Sequence, residues 1–171
     1  MGSVFSNSCV FSEEILEELN KKMMSNGYKI YCTFFLIFYL LFSAVGFKAG
    51  QNVMGVICAV GFLFILVIFF TKSKLIAKRA YSKYIKLYGC EIETKTFFYD
   101  ELIIGKNLQS NQAVQASYSD VTAIVESHNL YIIKLHKNIA LTLSKNGFIS
   151  DNASEFIEFI IGKCPNAKIK L

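Results

Sequence analysis

The stretch from Tyr28 to Thr71, YKIYCTFFLIFYLLFSAVGFKAGQNVMGVICAVGFLFILVIFFT, decides how the rest of the chain is read. Ile30 to Phe47 is 18 residues without a charge, and Val53 to Phe70 is another 18. A helix needs about 20 predominantly apolar residues to cross a hydrocarbon core about 30 Å thick, so each run qualifies as a spanning candidate. Lys48-Ala49-Gly50-Gln51-Asn52 between them is short and polar enough to be a turn. A transmembrane hairpin is therefore predicted, with spans at about 28–47 and 53–71.

Neither run holds an Asp, Glu, Lys, Arg or His in its interior. Those side chains mark ion and proton pathways, so a channel or transporter is not expected. Small residues recur at helical spacing: Ser43 and Gly46 in the first run, Gly55, Cys58, Ala59 and Gly61 in the second. Gly55-x-x-x-Ala59 would serve a homo-oligomer, but packing the hairpin on itself is its plainer use.

Charge orients the hairpin. In the 171-residue chain, residues 1–88 carry ten Lys or Arg against four Glu, and residues 89–171 carry eight against nine acids. Lys21, Lys22 and Lys29 precede the first run, six cations follow the second, and the loop holds only Lys48. By the positive-inside rule both termini are expected in the cytoplasm. The six cations are Lys72, Lys74, Lys78, Arg79, Lys83 and Lys86, in an acid-free segment, 72–88, predicted to be a basic juxtamembrane helix. Ile76, Ala80, Tyr84 and Leu87 give it an apolar stripe, and the cations are expected to meet the anionic inner leaflet of the bilayer. The basic surplus belongs to this membrane-proximal half, so no nucleic-acid partner is expected.

Residues 1–27 read as a cytoplasmic segment with a short extended piece and an amphipathic helix. Ser12 is the expected N-cap, Glu13 and Glu14 suit the helix start, and Asn26-Gly27 is the expected end. Four glutamates ahead of the first apolar run are incompatible with a signal peptide. From Cys90 onward the apolar period shortens to two, with short strands near 91–99, 102–105, 112–118, 121–126, 131–135 and 139–143. Gly105-Lys106-Asn107, His128-Asn129 and Lys137-Asn138 are the expected turns. Asn152-Ala153-Ser154-Glu155 has the form of a capping box ahead of an apolar helix that Cys164-Pro165 stops. The predicted fold is thus an α+β membrane protein. An antiparallel meander of about six strands in residues 89–171 is closed by a C-terminal helix, as in pleckstrin-homology-like domains.

Catalytic chemistry is not visible. His128 and His136 sit at strand ends without a metal-binding helix pattern, and Ser144 and Lys145 are neighbours that a strand would point apart. There is no G-x-G-x-x-G or P-loop. Cys9, Cys32, Cys58, Cys90 and Cys164 are odd in number and lack C-x-x-C spacing, so reduced structural thiols are expected. No cofactor, metal or catalytic residue is assigned.

Tyr118-Ser119-Asp120-Val121, Val125-Glu126-Ser127, Leu130-Tyr131-Ile132, Lys145-x-x-Phe148 and the Phe156/Phe159 pair resemble the YcxB-like family of bacterial membrane proteins. The resemblance covers roughly residues 90–163 in motif, and the preceding helix and two spans match that family's layout. It implies a two-span anchor and a YcxB-like domain, and brings no established activity with it. The motif residues also have a plain structural reading: Tyr118 and Phe148 as aromatic anchors, Asp120 and Lys145 as turn residues. The preferred expectation is a non-enzymatic bacterial inner-membrane protein whose cytoplasmic β-domain binds a protein, a peptide or a lipid head group. The alternative is a self-protection protein against membrane-active peptides, in which the spans shield the target.

Overall fold

The Ser12 hydroxyl accepts a hydrogen bond from the Ile15 N–H at 3.3 Å, and helix α1 (Glu13–Met23) starts there with Glu13 and Glu14 in its first turn and Lys21 and Lys22 in its last. This charge order complements the helix dipole. The helix stops before Asn26-Gly27, because Ser25 caps the next one, accepting from the Tyr28 N–H at 3.2 Å. Asn26 and Gly27 therefore open helix α2 (Asn26–Lys48). The structure is a computed structural model that describes residues 3–136, 139–149 and 153–170. Its class is α+β, and it divides into two compact units: Met23–Ile76, and Met1–Lys22 together with Ala77–Leu171.

The first unit is α2 and the start of helix α3 (Asn52–Tyr88). Both helices are long and apolar enough to cross a membrane. Only 17% and 11% of their most apolar windows are buried, whereas the core helix of a soluble domain is mostly buried. Cys32, Ser43 and Gly46 of α2 and Gly55, Cys58 and Ser73 of α3 are the buried positions of the pair. At the close crossing the Ser43 hydroxyl donates to the Gly55 carbonyl at 3.0 Å, and a Cβ on Gly46 would lie 2.8 Å from the Gly55 nitrogen. At the open end Lys72 Nζ sits 3.2 Å from the centre of the Tyr28 ring.

Helix α3 runs without a break through the expected span and the basic segment. Along the basic segment Ser73 and Ala77 are buried, Ala80, Tyr81 and Tyr84 half-buried, and Ile76 and Leu87 exposed.

The second unit holds eight strands among the described residues. Strands β1 (Phe5–Val10), β2 (Glu93–Phe98), β3 (Leu102–Asn107) and β4 (Ala113–Ser117) form one antiparallel sheet in that order. Strands β5 (Val121–Glu126), β6 (Leu130–Leu135) and β7 (Ala140–Ser144) form the second, antiparallel, with β8 (Lys168–Lys170) added parallel to β5. The extended piece before α1 is thus a strand of the domain, registered Phe5 to Phe98 through Val10 to Glu93.

Helix α4 (Ala153–Lys163) fills the core with Phe156 and Ile160, both fully buried with Phe98, Ile103, Ile124, Ile133 and Leu143. Phe156 packs against Phe98 and Phe148 at ring-centre distances of 4.8 and 4.7 Å. The second sheet is buried on both faces: Tyr131, Ile133 and Leu135 belong to this core, while Leu130 and Ile132 are fully buried outside it, on the other side of β6. Leu16 of α1 is buried as well, and α1 is hydrogen-bonded to the β5–β6 turn (below).

Of the three expected turns, one lies elsewhere, one falls where expected, and one is outside the described residues. Gly105 lies inside β3, and the turn is built beyond it, where Asn107 Oδ1 accepts from the Gln109 and Ser110 N–H groups and Asn111 takes φ 54°. A Cβ at Gly105 would lie 2.8 Å from Leu141 Cδ2, so its missing side chain lets β7 in. The β5–β6 turn is Ser127–Asn129, closed by the Ser127 N–H on the Leu130 carbonyl, and Asn129 does not take a positive φ. Lys137-Asn138 and the Asn152 cap lie outside the described residues.

The two sheets meet at Asn7, 2% exposed, which bonds the Ser144 backbone twice: Nδ2 donates to its carbonyl at 2.7 Å, and Oδ1 accepts from its N–H at 3.1 Å. A Cβ on Gly147 would come within 1.9 Å of the Ser8 carbonyl oxygen, so β1 lies flush against the turn after β7. Asn7→Leu removes two hydrogen bonds and orphans two buried backbone groups, and is expected to cost about 3 kcal/mol. Chemical denaturation of the purified chain measures it, and a parent-like midpoint would refute this account of the sheet junction.

Candidate functional site

The most connected group of polar side chains lies where α1 meets the β5–β6 turn. Glu18 accepts from the Asn129 backbone N–H at 2.9 Å and from its side-chain amide at 3.1 Å. One turn on, Lys22 Nζ donates to the Glu126 carbonyl at 3.0 Å. Glu126 is itself paired with Lys145, whose N–H is bonded to the Asn129 carbonyl at 2.9 Å and whose Nζ lies 5.1 Å from the Tyr131 ring centre. Glu18 and Lys22 sit four residues apart, so one helix face delivers both.

Burial alone would raise the Glu18 carboxyl. Hydrogen bonds from Ser127 and from both Asn129 donors, with the nearby His128, outweigh it and hold the group below its usual range. The arrangement fixes α1 to the sheet.

A second feature is a small cleft of about 160 Å³ between the first sheet and the start of β7. Thr94, Thr96, Gly105, Val114, Leu141 and Thr142 line its wall. The core thins toward this mouth because Gly105 carries no side chain and threonines replace the large apolar residues farther in.

The expected cations occupy two sides of α3. At 100° per residue Lys72, Arg79, Lys83 and Lys86 share one side, and Lys74 and Lys78 take another. Lys72 is half-buried and the other five are exposed. Gly55 is buried in the hairpin, and Ala59 is half-buried one turn farther along α3.

The four motif residues fall into two turns, both held by α4. Tyr118 is buried; its hydroxyl donates to the Tyr99 carbonyl at 2.5 Å, and its ring lies edge-on to Phe159 at 6.0 Å. Burial, then Cys164 and Asp100 nearby, push its phenol up to about 12. Asp120 Oδ2 accepts from the Ser117 N–H at 2.9 Å and completes a capping box. Lys145 opens the turn after β7, and Phe148 closes it against Phe156.

His128 and His136 are exposed. Ser144 is held by Asn7, and Lys145 is committed to Glu126. Burial pushes the Cys9 and Cys164 thiols up to about 11, so both are protonated at neutral pH. All five cysteines are free. Among the described residues no three His, Cys, Asp or Glu side chains converge on a metal position. Asn7, Glu18 and Gly147 escape a reading of the sequence, since each acts on a residue far along the chain. The inward period of Phe5, Asn7 and Cys9 is the available signal for the first.

No protein-family model matches the chain, and no curated protein matches it. Among solved structures it is similar to the C-terminal domain of an unknown protein from Leishmania infantum. That likeness has 12% identity and a TM-score of 0.35, over 44% of this chain and 72% of the other, and it carries no argument.

The depressed Glu18 value fixes the sign of a pH effect. What the carboxylate adds to stability is present above its ordinary value of 4.5 and is lost as pH falls through the lowered folded value. The gap in melting temperature between parent and Glu18→Gln should therefore be open at about pH 7 and narrow as the pH is taken down into the acid range. An unchanged gap across that range would show that the ionised carboxylate is not what holds α1.

Proposed function

We propose that this is a non-enzymatic protein of the bacterial inner membrane, anchored by the α2–α3 hairpin, with a cytoplasmic β-domain that binds a protein, a peptide or a lipid head group. The observation that carries the anchoring is the β1–β2 ladder: strands on either side of the hairpin pair residue for residue. A chain that leaves a sheet, enters a bilayer and returns to the same sheet must cross an even number of times, and two apolar helices supply that number. The cations flanking both helices favour the cytoplasm for the shared side.

The strand sequence, four in one sheet and three in the next followed by a core-filling helix, supports a pleckstrin-homology-like reading of the domain. In this reading β1 is its first strand and the anchor is inserted between β1 and β2. It also leaves room for a YcxB-like relationship.

The unbroken α3 refines the expected lipid contact. Lys72 and Lys74 lie within about 5 Å of Thr71 along the axis, Lys78 and Arg79 about 10 and 12 Å, and Lys83 and Lys86 about 18 and 22 Å, at 1.5 Å per residue. Attraction to an anionic leaflet fades over a Debye length of about 8 Å. Lys72 and Lys74 are the cations assigned to head groups, Lys78 and Arg79 lie at the limit of that reach, and Lys83 and Lys86 are left for a partner.

Reporters at residue 50 and after residue 171 test the topology. The loop is expected outside and the C-terminal fusion in the cytoplasm. A cytoplasmic loop, or an external C-terminus, would sink the proposal.

A further inference from the structure

The second sheet has two edges, and each is closed by a segment from elsewhere. Beside β7 lies β1, held through Asn7. Beside β5 lies β8, paired Ala123 to Lys168, Ile124 to Ile169 and Val125 to Lys170. The two closures differ in kind. The first is buried and reinforced by side-chain hydrogen bonds. The second is a three-residue parallel strand whose residues are all exposed, Ile169 by 43%.

Parallel pairs are slightly weaker per residue than antiparallel ones, and an open sheet edge is a template for any strand that fits. A bulge between Val121 and Ala123 further loosens β5 just ahead of the pairing. The strand is tethered through Cys164–Ala167, where Cys164 is buried and the Ala167 N–H returns to the Cys164 carbonyl at 3.1 Å.

We propose that the outer edge of β5 accepts the Lys168–Lys170 strand of a second copy of this chain, so that two anchored copies exchange β8. The strand seated there shows what the edge fits, and a second copy supplies the same residues in the same register. The ladder hydrogen bonds that break when β8 leaves its own sheet re-form in the exchanged pair, so the balance is set by the short tether and by how often copies meet. This step rests on the anchoring proposed above, because copies confined to one bilayer face each other at high effective concentration.

Cysteines at register partners test it in membranes of cells making two differently tagged full-length chains, both carrying Cys90→Ser to remove the exposed thiol. One chain carries Ala123→Cys and the other Lys168→Cys. A single chain with both substitutions reports the same pairing within one copy and shows that the substitutions are tolerated. Mild oxidation is expected to link the two tagged chains, with loss of the product on reduction and when Ile169→Pro is added to the Lys168→Cys chain. Linkage only within the doubly substituted chain, no linkage at all, or a product indifferent to Ile169→Pro would overturn the exchange. Fractionation before oxidation is read separately: chains absent from the membrane refute the anchoring, whereas membrane-bound chains that do not link refute only the exchange.

Discussion

The β1–β2 ladder is the constraint on which the rest of the molecule depends. It joins residues far apart in the chain, as the Ser8 hydroxyl shows by donating to Glu93, 85 positions on. Everything in between, α1 and both apolar helices, is an excursion from one sheet that must end where it began. The ladder is supported from its other side by Asn7 and by the close seat of β1 on the turn at Gly147. Because a backbone edge is completed by a side-chain amide, one short strand can close two sheets at once.

The same arrangement gives α1 its role. Its apolar side covers a sheet that is already packed on its inner face, and Glu18 and Lys22 fasten it to the turn between β5 and β6. The helix therefore belongs to the β-domain although it precedes the hairpin in sequence. The residues singled out by the family resemblance, Tyr118, Asp120, Lys145 and Phe148, turn out to position strands and α4. Tyr118 and Phe148 do so by packing on α4, and Asp120 by capping the turn before β5.

Much of the coarse fold is legible in the sequence because its signals are local. Two charge-free runs, a Ser12 cap and period-two strands are properties of neighbouring residues. Gly105 reads as a turn because a glycine inside a strand looks the same in sequence as one outside it; only Leu141, 36 positions on, explains it. Strands β1 and β8 are harder to see. The inward positions of β1 include the polar Asn7, and β8 is three residues long and fully exposed, so neither shows a clean apolar alternation. On α3, residue size does not tell that Ser73 and Ala77 are buried while Ile76 and Leu87 are exposed.

The contact between Lys72 and the Tyr28 ring has a kinetic consequence. When a ribosome delivers this chain, β1 emerges first and has no partner until β2 is made. Closing so long a loop costs entropy that grows with the logarithm of its length. Once α2 and α3 have packed, however, their open ends are side by side, and what is left to close is the stretch from Val10 to Tyr28 on one side and, past the remainder of α3, the stretch from Gly89 to Glu93 on the other. Assembly of the hairpin thus does part of the loop closure in advance.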